Sequence, residues 1–169
     1  MRLSVIIPSF NGGAILAEHL PEVLSQLREI EGGVELIVVD DASTLPDDQT
    51  AQVIAELGKP ARLLRLEQNL GFAGACNRGA KAAEGENLLF LNNDMHPEPG
   101  AIATLLKEYE RDRNSFALSP VIINLEHGFP ESSTRLLFRR GVFDIDFPGR
   151  RGVPPPAPGE WRRIAYPCG

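Results

Sequence analysis

The chemistry legible in this chain lies in two short acidic stops. Glu35-Leu36-Ile37-Val38-Val39 runs into Asp40-Asp41-Ala42-Ser43, and Asn87-Leu88-Leu89-Phe90-Leu91 runs into Asn92-Asn93-Asp94. Carboxylates at Asp40 and Asp41 can accept from the imide N–H of a pyrimidine or from ribose hydroxyls. Asp94 can give a hard divalent cation one carboxylate oxygen, leaving the other positions to phosphate oxygens and water, as magnesium-type ions prefer. Each motif also has a plainer account. Asp and Ser are preferred helix N-caps, and Asn92-Asn93-Asp94 ahead of Pro97 and Pro99 suits a polar turn. Taken together they suit a nucleotide-sugar, with base or ribose gripped by one loop and phosphate neutralised through a metal at the other.

A third segment, Asn69-Leu70-Gly71-Phe72-Ala73-Gly74-Ala75-Cys76-Asn77-Arg78-Gly79, is dense in small residues. It suits a glycine-lined approach to phosphates at a helix amino end, or close packing of a helix on a sheet. It lacks the G-x-G-x-x-G dinucleotide fingerprint, and none follows the first apolar run. Arg78 faces either a diphosphate or solvent. His19, His96 and His127 do not fall at metal-ligand spacing, although His96 lies two residues after Asp94. Cys76 and Cys168 are too few for a disulfide framework and read as reduced thiols.

The elements that must hold these residues follow from apolar patterning. Runs rich in branched residues read as strands covered on both faces, which puts the polar stops at their carboxyl ends, the edge where open α/β sheets bind ligands. Strands are predicted at Leu3–Ile7, Glu35–Val39, Arg62–Leu66 and Leu88–Leu91, with a fifth candidate at Phe116–Ile123. Leu16, Leu20, Leu24 and Leu27 form a helical stripe, in which Pro21 predicts a break or a fresh start. Further helices are predicted over Asp47–Leu57, Phe72–Ala83 and Pro99–Tyr109. This alternation predicts a doubly wound α/β fold, a three-layer, mostly parallel sheet with helices on both faces. Residues 1–123 read as a nucleotide-sugar-binding α/β domain. Residues 124–169, rich in Pro and Arg, read as an irregular tail, a loop or a broken-off second half.

With 169 residues, 43% of them hydrophobic, the chain suits one well-packed core. A formal charge of −6 offers no basic face to a phosphate backbone, which argues against nucleic acid as a partner. The amino-terminal apolar run is far shorter than a signal-peptide core, and no stretch approaches the roughly 20 apolar residues of a membrane span. The expected location is cytoplasmic, with peripheral contact at the inner face of the membrane as a variant.

In order along the chain, Val5-Ile6-Ile7-Pro8-Ser9-Phe10-Asn11, Val38-Val39-Asp40-Asp41-Ala42-Ser43, Asn69-Leu70-Gly71-Phe72-Ala73 with Asn77 and Gly79, and Leu91-Asn92-Asn93-Asp94 resemble the family-2 glycosyltransferases. The likeness is nearest to their rhamnosyltransferase-like branch and covers about residues 3–123. It implies a GT-A fold, a nucleoside-diphosphate-sugar donor and Mg or Mn bridging the diphosphate. By motif position, Pro8 and Asn11 would line the nucleotide pocket, and Asp41 would meet the pyrimidine with Asp40 beside it. Asp94 would be the metal ligand and Asn93 would stand near the ribose, while Gly71, Asn77 and Arg78 would make secondary donor contacts. The implied reaction is inverting transfer of a sugar from a UDP- or dTDP-linked donor to a cell-surface glycan or lipid-linked acceptor.

The chain departs from the family pattern in two respects. Asn92-Asn93-Asp94 carries one acidic group where the family has D-x-D. None of Glu126, Glu131, Asp144 and Asp146 matches the family's catalytic base, which belongs to an acceptor half expected beyond this segment. Two other readings stand beside the transferase. A non-catalytic binding or assembly module would keep the fold without the base. A nucleotidyltransferase would show a basic, glycine-rich loop after the first strand, where this chain has Asn11-Gly12-Gly13-Ala14-Ile15-Leu16.

Overall fold

The computed structural model describes residues 1–112 and 115–123, and the backbone of two strands at 135–139 and 142–146. The chain divides into two compact units, Met1–Leu106 and Lys107–Gly169. The elements run β1 (Leu3–Ser9), α1 (Gly13–Arg28), β2 (Val34–Asp40), α2 (Thr50–Leu57), β3 (Ala61–Arg65), α3 (Gly71–Ala82), β4 (Asn87–Phe90) and α4 (Ala101–Arg111). The four strands form one sheet in the order β3-β2-β1-β4, and every pairing in it is parallel.

Strand periodicity sorts the core into two layers. Leu3, Val5 and Ile7 of β1, with Leu36 and Val38 of β2, face the leucine stripe of α1, Val53 and Ile54 of α2, and Ile102 and Leu106 of α4. Ile6, Ile37 and Val39 point the other way and meet Ala75 of α3. Most of these side chains are fully buried, each worth about 1.5–3 kcal/mol relative to exposure. The predicted three-layer parallel architecture is the one observed. α3 lies close on its face because Gly79 has no side chain: a Cβ there would collide with Ile6 and reach Val39 Cγ2 at 3.0 Å.

The order of the strands creates the crevice. From β1 the chain winds outward through β2 and β3, then returns to place β4 on the other side of β1, so the winding reverses between β1 and β4. Pro8 holds that point open. The Ile6 carbonyl accepts the Leu91 N–H at 3.0 Å, and Pro8, two residues on, faces the same neighbour without an N–H to offer. Pairing of β1 with β4 therefore ends at Ile6↔Phe90, while β1 and β2 continue to Ser9↔Asp40.

Three expectations are corrected. Pro21 does not break α1, which runs unbroken through it. Both Pro21 and Ala17, whose carbonyl loses its partner, are exposed, so water can satisfy that oxygen. Residues 115–123 form no strand beyond a bridge at Ile123, and Phe116 is 99% exposed. Pro120 interrupts that apolar run and removes a donor a central strand needs. Within the segment expected to be irregular, β5 (Arg135–Arg139) pairs antiparallel with β6 (Val142–Asp146), in the register Leu136↔Ile145 and Phe138↔Phe143. Only Arg140 and Gly141 separate the two runs, a spacing suited to a tight hairpin, and the surrounding prolines masked that signal. Glu126, Glu131, His127 and Cys168 lie outside the described residues.

Candidate functional site

At the carboxyl end of β2 the acidic pair turns inward. Asp40 is 1% exposed, and its Oδ1 accepts the Ser43 N–H at 2.8 Å while Oδ2 faces Arg65 Nε at 3.3 Å. Arg65 also donates to the Ser43 carbonyl, so Asp40 and Arg65 together fix the loop after β2. Asp41 is 4% exposed, and its N–H donates to the Ser9 carbonyl while its Oδ1 accepts the Leu70 N–H at 2.7 Å. One carboxylate is thus tied within its own loop, and the other links β1, β2 and the entry to α3. Neither caps the helix that follows. Asp48 sits ahead of that helix instead: its Oδ1 accepts the Thr50 N–H at 3.0 Å and its Oδ2 accepts the Gly13 N–H at 3.2 Å, joining the starts of α2 and α1. Burial pushes the Asp48 carboxyl up, but hydrogen bonds from Thr50 and the Gly13 N–H and the charge of Arg65 outweigh it and hold the group below its ordinary value.

Asn11 follows β1 with φ 54, a left-handed geometry that Asn tolerates. Its N–H donates to Ser43 Oγ at 2.8 Å, and its Oδ1 accepts from the N–H groups of Thr44 and Leu45 at 2.8 and 3.0 Å. Asn11 therefore organises the 43–45 loop. Asn93 closes the opposite side of the crevice: its Nδ2 donates to Ser9 Oγ at 3.3 Å, and its carbonyl meets His19 Nδ1 at 3.1 Å. Gly12 allows this approach, since a Cβ there would lie 2.5 Å from both Asn93 Nδ2 and Ser9 Oγ. Ser9 thus touches Asp41 through its carbonyl and Asn93 through its hydroxyl. Asp94, next in the chain, is exposed.

Pro8, Asn11, Asp40, Asp41 and Asn93 are accordingly gathered where β1, β2 and β4 end, with Asp94 on the adjoining surface. The small-residue segment is less central. Gly71 opens α3 at φ 71, with its N–H donating to Asn69 Oδ1, while the Leu70 N–H is taken by Asp41. Two of the amides that a phosphate at this helix end would use therefore have partners inside the chain. Asn77 and Arg78 are exposed on α3, and Arg78 lines a groove with Leu64–Gln68, Leu70, Lys81 and Ala82 that does not include Asp94. Burial pushes the Cys76 thiol up, away from a reactive thiolate.

Two features escaped the sequence. Phe10 stands 47% exposed beside Asn11, an aromatic ring kept in solvent at the crevice rim; its place straight after an apolar strand was the available signal. His19 and His96 meet with their rings tilted by 51° and centroids 3.8 Å apart. Helical spacing could not reveal that pair, because it forms between α1 and the loop after β4.

The model of glycosyl transferase family 2 matches residues 4–159. The chain belongs to this family. Glycosyltransferase GlyG of Streptococcus pneumoniae is 28% identical over 137 residues, 80% of this chain and 42% of its own. An uncharacterised protein of Mycobacterium tuberculosis is 35% identical over 119 residues, 70% of this chain and 35% of its own. Among solved structures, the mannosyltransferase PcManGT from Pyrobaculum calidifontis in complex with GDP-Man and Mn2+ superposes with a TM-score of 0.63 at 25% identity, covering 75% of this chain and 36% of that one. TarS 1-349 of S. aureus in complex with UDP-GlcNAc gives a TM-score of 0.55 at 31% identity, covering 65% and 32%. The family-2 chain described here thus spans between 32% and 42% of the length of these relatives. Its parallel α/β sheet is that of the GT-A glycosyltransferases.

Proposed function

We propose that this chain is the donor-binding part of an inverting glycosyltransferase of the rhamnosyltransferase-like branch, taking a UDP- or dTDP-linked sugar for transfer to a cell-surface glycan or lipid-linked acceptor at the inner face of the membrane. The observation that carries the reading is the convergence of Asp41 and Asn93 on Ser9 in the crevice between β1 and β4. In this reading residues 1–123 hold the donor, and residues 124–169 begin the part that meets the acceptor. The relatives support the donor class, since one is solved with GDP-Man and another with UDP-GlcNAc.

The residues would divide the work by chemistry. Asp41 keeps Oδ1 on the Leu70 N–H and turns Oδ2 to the pyrimidine imide, while Asp40 holds the loop that frames the base. Phe10 offers the base an aromatic face. Pro8 and Asn11 shape the pocket floor, Asn93 reaches the ribose, and Gly71, Asn77 and Arg78 contribute at the α3 side. The donor set fits a hard cation held by one carboxylate, Asp94, together with the diphosphate, because Asp40 and Asp41 are already committed. When bound, Mg or Mn neutralises the departing diphosphate. An acceptor-side carboxylate deprotonates the attacking hydroxyl, and no base is assigned among the described residues.

Calorimetric titration with UDP and dTDP, each with and without Mn, tests this reading. The expected result is Mn-dependent binding of at least one nucleotide, lost in Asp94→Ala. Failure of the wild-type chain to bind either would put the binding or assembly module ahead of the transferase.

A further inference from the structure

We infer that α1 and the loop after β4 form a second cation site, of the zinc class, from His19, His96 and Glu18. A ligand atom from each of these side chains lies within 4.8 Å of the others, and Asp94 is not part of the group. Two lines of geometry point to a metal rather than to surface charges in passing contact.

The first is the set of distances. Two ligand atoms on one tetrahedral zinc, with arms of about 2.0–2.2 Å, stand roughly 3.4 Å apart. His19 Nε2 and Glu18 Oε1 are 3.9 Å apart, too far for a hydrogen bond and a small rotamer shift from shared ligation. The rings of His19 and His96, tilted by 51° with centroids 3.8 Å apart, bring two imidazoles together from α1 and the loop after β4.

The second is the outer partner of the His19 ring. His19 is 12% exposed, and its Nδ1 meets the Asn93 carbonyl at 3.1 Å. A carbonyl only accepts, so in the neutral ring this contact puts the proton on Nδ1 and leaves Nε2 as a lone-pair donor. Metal-bound histidines are commonly oriented by such a bond from the other ring nitrogen. Glu22 Oε2 lies 3.7 Å from His96 Nδ1, beyond hydrogen-bond range, one turn of α1 past Glu18. Imidazole nitrogen with one carboxylate suits Zn2+ better than Mg2+, which prefers oxygen ligands alone. A fourth position is left to water. The ion would fasten the loop carrying Asn93 to α1 and so hold one wall of the crevice.

Co2+ serves as a coloured probe of the site, and Zn2+ competition gives the affinity. The purified chain is expected to take up one Co2+ with visible absorption of tetrahedral or five-coordinate character, displaced by Zn2+. His96→Ala and Glu18→Ala, at sites 45% and 75% exposed, keep the fold and lower Zn2+ affinity by at least about ten-fold. Asp94→Asn leaves it unchanged, which separates this site from the nucleotide-linked cation. Absent Co2+ absorption, or binding indifferent to His96→Ala and Glu18→Ala, would overturn the inference. So would loss of binding in Asp94→Asn, which would move the ion to the donor site. Nucleotide binding with no Zn2+ site would leave the donor reading standing alone.

Discussion

Asp41 gives one carboxylate oxygen to the Leu70 N–H at 2.7 Å while lying 4% exposed just past the end of β2, so in the proposed site a single side chain would divide its oxygens between fold and donor. Truncation to Ala would confound the two roles by releasing Leu70. Asp41→Asn separates them, because the amide oxygen can still accept from Leu70 while an NH2 replaces the second acceptor. The melting temperature of Asp41→Asn should stay within a few degrees of wild type. Affinity for UDP or dTDP should fall about 10- to 100-fold, the worth of a hydrogen bond to a charged group. An unchanged calorimetric affinity would remove Asp41 from base recognition. Phe10→Ala should weaken the same binding by about 1–3 kcal/mol if its ring stacks on the base, and leave the Mn dependence intact.

At the scale of elements, close seating of α3 is what lets the loop before it reach Asp41. Gly79→Val would drive a branched side chain into Ile6 and Val39, and a core this dense resists such overpacking by about 1–3 kcal/mol. Thermal unfolding should show that loss, and nucleotide affinity measured below the transition should fall as well, because Leu70 moves with α3. The seating was legible in sequence from the alternation of Ala, Gly and Cys, as the four strands were legible from runs of Val, Ile and Leu. What stayed hidden depended on the partner rather than the pattern. Glu35 counts as polar in any scan, yet it is buried in β2, because Ser4, the Glu84 N–H and Arg62 all bond to it. Pro21 reads as a break, yet it and the carbonyl it leaves lie on the exposed side of α1. Phe116–Ile123 reads as a strand, yet Pro120 denies it a ladder. In the candidate site, the placement of Asp40, Asp41 and Asn93 was legible because each lies at or just past the carboxyl end of a strand, and sequence alone could not say that Asp40 would be consumed by Arg65. His19 and His96 meet only once the sheet has brought α1 beside the loop after β4.

Across the whole molecule, carboxylates tied into the fold set how stability responds to acid. Burial pushes the Glu35 carboxyl up, but hydrogen bonds from Ser4, the Glu84 N–H and Arg62, with the charge of Arg62, outweigh it and hold the group below its ordinary 4.5. Asp48 is held below its ordinary 3.8 in the same way. A carboxyl whose folded pKa lies below its unfolded one adds stability that is fully present above the unfolded value and is lost as pH falls through the folded value. Melting followed by circular dichroism should therefore be nearly flat from pH 7 to about 5.5 and fall steeply below pH 4.5. The opposing influence is weaker. Protonating surface acids relieves the self-repulsion of a chain carrying −6, but those charges are dispersed and screened. Glu35→Gln should cost about 1–3 kcal/mol at pH 7, since it loses the ionic bond to a partly exposed Arg62 and leaves one donor unmatched, and it should flatten the acid limb. Glu35 sits at the amino end of β2 and Asp40 at its carboxyl end, so nucleotide affinity at pH 7 should not change in that variant. If Glu35→Gln reproduces the wild-type acid limb, the transition belongs to Asp48 and the joined starts of α1 and α2, beside the crevice, and acid would then weaken nucleotide binding before the sheet itself unfolds.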